Sequence, residues 1–213
     1  MNPPLTPAAG LFAPERFAGS SVLVAGQDPV CRAFGARLAA GGARVTLAGP
    51  SADGPDVIAC DGLDAASIAS VFDAIGETTL LVIGPAVAAG EEAFRARLAG
   101  ALDMPFFFAA EFARRRIAAQ ASGSLLILMS PAMIDAGAGD PAQTAAAHAL
   151  ANLIKTLAVE WARDGLRING LGLGADLDTA VNLGLYLLSD YGAYMTGQIA
   201  IADGPAAHAG LFI

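Results

Sequence analysis

Short apolar runs alternate along the chain with longer stretches in which alanine and polar residues share a helical period. The apolar runs are strand-sized and cover residues 21–26, 43–48, 57–59, 80–83, 124–129, 167–171 and 198–202. Between them, residues 29–40, 65–75, 91–120, 141–163 and 179–189 read as helices, the third interrupted near Pro105. Asp28 before Pro29 is an N-cap followed by proline at the first helical position, and Asp178 reads as the cap of the last helix. Strands that are apolar without alternation are covered on both faces, and strand–helix alternation makes a parallel sheet. With right-handed crossovers, the expected fold is a Rossmann-type, doubly wound α/β domain of about seven strands between two helical layers. Residues 1–213 read as one such domain, opened by a proline-containing extended arm at about 1–18.

Composition sharpens this picture. Of the 213 residues, 55% are hydrophobic and only 15% charged. Mean hydropathy is +0.55. So little charge leaves an exterior that another subunit is expected to cover. No run approaches the roughly 18–20 apolar residues of a membrane-spanning helix, and the N-terminus lacks the basic and apolar segments of a signal peptide. The net charge of −8, from 12 basic and 20 acidic residues, argues against nucleic acid as a partner. Cys31 and Cys60 lack CxxC spacing and read as reduced thiols, so a cytoplasmic location is expected. His148 and His208 have no ligand pattern around them, so no metal site is expected.

Five segments in order resemble the short-chain dehydrogenase/reductase family, over roughly residues 19 to 204. They are CDGLD at 60–64 with its following helix, GSLLILMS at 123–130, LAVE at 157–160 with GLRIN at 165–169, YMTGQ at 194–198, and ADG at 202–204. The resemblance implies a dinucleotide cofactor at one end of the sheet and a Ser, Tyr, Lys and Asn set that moves hydride and proton.

At the cofactor end this chain departs from the family. Its glycine loop corresponds to AGQDPVCR at 25–32, which keeps Gly26 but places Val30 and Arg32 at the other two glycine positions, where their side chains would take space a phosphate needs. Asp28 is either an ordinary cap or a carboxylate that repels a phosphate from the helix N-terminus. The second strand ends LAGP at 47–50, with neither the acid nor the base that selects a ribose. Asp61 remains, as an adenine contact or as a common turn residue. Gly26 and Asp61 are thus residual cofactor positions, and no cofactor is expected, the alternative being NAD or NADP.

At the catalytic end, the resemblance places the tyrosine at Gln143, the lysine at Ala147 and the asparagine near Ala101. Ser130 alone persists, as a carbonyl-polarising group or a turn residue before Pro131. Thr144 and His148 share the tyrosine–lysine spacing but sit one residue away, about 100° round the helix. After the sixth strand, residues 174–178 leave no length for a helical lid over substrate, so the substrate lobe is shortened.

The long helices around 104–120 and 141–163 and the tail at 208–213 keep the character of the family's subunit interfaces, unless they simply fill this chain's own core. The leading expectation is a catalytically silent subunit that pairs with an active, homologous dehydrogenase/reductase and stabilises it or its substrate site. The alternatives are an active NAD(P)-dependent oxidoreductase using atypical residues such as Ser130 and His148, and a homo-oligomeric binding module that holds another ligand.

Overall fold

The computed structural model describes residues 15–85, 94–129, 141–174 and 176–202. Seven parallel strands form one sheet: β1 (Ser21–Ala25), β2 (Arg44–Gly49), β3 (Val57–Ala59), β4 (Leu80–Ile83), β5 (Gly123–Met129), β6 (Leu166–Leu173) and β7 (Ile199–Ala202). They lie in the order β3-β2-β1-β4-β5-β6-β7, so the chain reverses direction between β1 and β4. In an open parallel sheet, the carboxyl ends of the strands at such a reversal make the binding crevice.

Among the described residues, five α-helices cover the sheet: α1 (Pro29–Ala40), α2 (Ala65–Ile75), α3 (Phe94–Ala118), α4 (Pro141–Trp161) and α5 (Leu177–Leu188). Strand side chains alternate between two cores. Leu23, Leu81, Leu125 and Ile127 face α2, α3 and α4 in one core. Val22, Val24, Val82, Leu126 and Leu128 face α1 and α5 in the other. The three-layer, doubly wound architecture expected from the pattern is the one present.

Three local readings change. Helix α3 runs unbroken through Pro105, which is buried within it. Proline removes one backbone donor, yet α3 is pinned on both sides of it by the buried Ala101, Phe108 and Ala109. The cap of α5 is Asp176, not Asp178: Asp176 Oδ1 accepts from Asp178 N at 3.1 Å. Strand β6 extends to Leu173, and residues 174–176 alone separate it from α5. Of the N-terminal arm, residues 1–14 lie outside the described residues, as does the tail at 208–213. Phe17 is buried, and its N–H donates to Gly41 O at 2.8 Å, tying this segment to the end of α1.

Candidate functional site

The carboxyl ends of β1, β2 and β3 open into a cleft of about 460 Å³. Ala25, Gly26, Ala48, Gly49 and Pro50 form its floor, Cys60, Asp61, Gly62 and Ser67 its rim, and Met104 and Phe108 of α3 its apolar wall. Asp61 is exposed at the rim. Its Oδ1 accepts from Leu63 N at 2.9 Å, and its own N–H donates to Ser67 Oγ at 3.0 Å. The turn therefore uses one carboxylate oxygen and leaves Oδ2 without a partner among the described residues. Both readings of Asp61, turn residue and cleft residue, are compatible with this geometry.

Gly26 has φ of +140°, and a Cβ there would stand 2.5 Å from Cys31 Sγ. The glycine is required by the close approach of β1, β4 and α1. Cys31 is held in that gap. Its thiol donates to Asp28 Oδ2 at 3.3 Å, while Asp28 Oδ1 accepts from Val30 N at 2.8 Å and Cys31 N at 3.0 Å. Burial, then the nearby Asp28 charge and hydrogen bond, push the Cys31 thiol far above its ordinary range. The thiol therefore stays neutral and unreactive at ordinary pH.

Val30 and Arg32, at the two lost glycine positions, stand outside the cleft at β1–β3. Neither lines the cleft. Val30 packs toward the α1 core, and Arg32 is exposed with Nε donating to Gln27 O at 3.0 Å. Asp28 caps the α1 N-terminus beside Gly26 and Gly84, and Gln27 lies behind the cleft floor at Gly49. The Gln27 amide donates to Ser51 O, its Oε1 accepts from Ser51 Oγ at 3.2 Å, and its side chain lies against Gly49. The single Ser51 hydroxyl proton also has Asp53 Oδ2 in reach at 2.5 Å, so it serves one of these two acceptors at a time. An acidic residue thus stands at the exit of β2, where the sequence motif shows none. Its loop offset gave no sequence signal, and neither did the cross-chain Gln27–Ser51 pair. Met104 and Phe108 could have been found: they stand four apart, on one helical face.

At the other end of the site, Ala101 in α3 and Ala147 in α4 are both buried in the same core, where α3 packs against α4. Two of the family's polar positions, as the resemblance aligns them, are therefore methyl groups buried in the core between these helices and the sheet. Gln143 lies in α4, but its side chain falls outside the described residues, as does the whole of Ser130. Ala146 and Ala147 are buried and the next residue, His148, is exposed. No cluster of three or more His, Cys, Asp or Glu suited to a metal occurs among the described residues. No described helix is long and apolar enough to cross a membrane.

No family model matches the sequence. The Mycobacterium marinum short-chain type dehydrogenase/reductase superposes with a TM-score of 0.81 at 19% identity, over 88% of this chain and 95% of that one. The citronellol catabolism dehydrogenase of Pseudomonas aeruginosa gives 0.78 at 24%, over 92% and 98%. The chain shares the fold of these short-chain dehydrogenase/reductases. In sequence it is 29% identical over 128 residues to the Melia azedarach (21S)-21-acetoxyl-apo-melianone synthase, a short-chain dehydrogenase/reductase. That match spans 46% of this chain and 47%, about half, of the relative.

One further short-chain dehydrogenase structure corrects the cofactor expectation. The Leptospira borgpetersenii protein superposes with a TM-score of 0.81 at 16% identity, over 88% of this chain and 92% of that one, and carries bound NAD+. A fold shared so fully with an NAD+-bound protein overturns the expectation of no cofactor. The lost glycines, the Asp28 carboxylate and the absent ribose selector at 47–50 do not close the cleft at the carboxyl ends of β1, β2 and β3. The fit to a dinucleotide divides along the cleft. The β2–β3 side is open, apolar-walled and rimmed by Asp61, which suits an adenosine. The α1 side is held by Asp28.

Proposed function

We propose that this chain is a dinucleotide-holding subunit of short-chain dehydrogenase/reductase fold that is catalytically silent by itself. It pairs, in the cytoplasm, with an active subunit of the same fold and stabilises that subunit or its substrate site. The observation that carries this reading is the burial of Ala101 and Ala147 in one apolar core. A lysine beside the tyrosine position is what would lower a phenol from its ordinary pKa of about 10 into a working range. A methyl group there does neither that nor binding of a ribose hydroxyl.

The cofactor part rests on the cleft. Asp61 and Ser67 at the rim and Met104 and Phe108 at the wall would hold the adenosine half. When bound, the group would supply a nicotinamide able to accept or donate hydride. This chain's own contribution is to bind and orient its adenosine end. The partner part is supported by the outward side chains of α3 and α4, Phe106, Ile117 and Val159, which stand exposed in a chain of low charge.

The test is purification of the chain alone and with an intact family member encoded beside it. Calorimetry with NAD+ and NADP+, and NADH formation over a panel of alcohols, are then measured on both samples. The expected result is NAD+ binding without turnover for the chain alone, co-elution with the intact member, and a more stable or more active complex. Turnover by the chain alone would overturn the silent reading, and failure to co-elute would overturn the pairing.

A further inference from the structure

Helix α1 carries an anion of its own at its N-terminus. The first-turn N–H groups of such a helix are the donors that take a ligand phosphate in dinucleotide folds. Here the N–H groups of Val30 and Cys31 both donate to Asp28 Oδ1, at 2.8 and 3.0 Å. The second carboxylate oxygen is held by the Cys31 thiol at 3.3 Å, in the gap that Gly26 and Gly84 leave open. A Cβ at Gly84 would stand 2.4 Å from that sulfur and 3.3 Å from Asp28 Oδ2, so the carboxylate is fixed by packing as well as by bonds. Gln27, tied to Ser51, packs against Gly49 of the cleft floor. Arg32 is the nearby cation, but it is exposed and its Nε is used by Gln27 O.

We propose that Asp28 is the residue that sets the ligand specificity of the cleft: it occupies the phosphate seat, so the cleft takes an adenosine moiety and discriminates against its diphosphate extension. A dinucleotide then binds by its adenosine end, with the diphosphate turned away from α1. This rests on the reading that the cleft holds an adenosine. The selectivity follows from two costs that a phosphate meets and an adenosine does not. The phosphate finds both amides already donating, and it meets a fixed negative charge at contact distance.

The test is calorimetry with adenosine, ADP and NAD+ on the full chain and on Asp28→Asn and Asp28→Gly. Asparagine and glycine both serve at N-caps, so α1 is retained, and circular dichroism checks this. The native chain is expected to bind ADP no more tightly than adenosine. In Asp28→Gly, ADP and NAD+ tighten by about tenfold to a hundredfold, the range for charge-assisted bonds to two freed amides. Asp28→Asn gives a smaller gain, because it removes the charge and keeps the cap. Adenosine changes by less than about twofold in both, a split that a merely structural role for Asp28 would not produce. A native chain that binds ADP about tenfold more tightly than adenosine overturns the proposal even where a variant does not fold. So does an ADP-to-adenosine ratio that neither variant moves. Absence of adenosine binding in all three proteins instead overturns the adenosine reading of the cleft, and the Asp28 proposal with it.

Discussion

Glu111 shows how much one side chain on α3 can organise. Its carboxylate accepts from Arg114 at 2.6 and 2.7 Å and from Arg115 Nε at 2.6 Å, and Arg115 continues to Asp73 on α2 at 2.7 Å. The Arg114 bond, then the Arg115 bond and the two positive charges, hold the Glu111 carboxyl below its ordinary range against a smaller opposing effect of burial. A carboxyl whose folded pKa is depressed stabilises the fold above its unfolded pKa, about 4.3, and loses that contribution as pH falls through the folded value. Glu111→Gln is therefore expected to flatten the acid limb of the stability profile below about pH 4.5. Urea midpoints of both proteins across pH 3–7 check this, and parallel acid limbs would remove Glu111 from the account. At this scale the sequence was partly legible. Asp28 announced its cap through the proline that follows. Asp176 and Asp178 did not separate, because two carboxylates two residues apart satisfy the same capping pattern. Gln27 and Asp53 were invisible because their partner, Ser51, is set by tertiary approach and no local period encodes it.

Among the elements, the end of α5 depends on one residue in another strand. Arg167 of β6 donates to the carbonyls of Leu187, Gly192, Leu188 and Ser189, at 2.7, 2.8, 3.0 and 3.2 Å. These carbonyls lie at and just past the helix C-terminus, where backbone acceptors lack intrahelical donors and a cation is favourable. A planar fork reaches all four at once, and an ammonium does not. Arg167→Lys is expected to cost about 2 kcal/mol of stability, the scale of one or two lost charge-assisted bonds. Urea unfolding followed by circular dichroism measures it, and an unchanged midpoint would show that solvent serves these carbonyls as well as Arg167 does. Element type was legible from the pattern because the strands are apolar and uninterrupted and the helices carry caps. Pro105 misled because a local rule about a missing donor was outweighed by packing on both sides. The expectation of no cofactor failed for a related reason: the open side of the cleft is walled by Met104 and Phe108, which belong to no motif.

For the whole molecule, low charge and an open sheet fold leave the question of what covers the outer helices. The run MPFFF on α3 reads in the sequence as one aromatic patch, but the fold divides it. Phe108 is turned into the core and the cleft wall, and Phe106 is left exposed. On α4, Leu150, Ile154, Leu157 and Ala158 are buried, whereas Val159 is 80% exposed. A side chain so exposed adds almost nothing to the core of its own subunit, so a change there separates association from folding. Val159→Arg places a charge on this face without opening a cavity. If α4 carries the subunit contact, the substitution leaves the unfolding free energy of the isolated chain unchanged within about 0.5 kcal/mol, as surface changes usually do. It also lowers the assembly mass measured by light scattering, because a desolvated unpaired charge is costly at a packed interface. The same variant is expected to lose co-elution with an active relative if that relative docks on the same helix. An unchanged mass and unchanged co-elution would take α4 out of the contact and leave the exposed Phe106 and Ile117 of α3 as the remaining surface to probe.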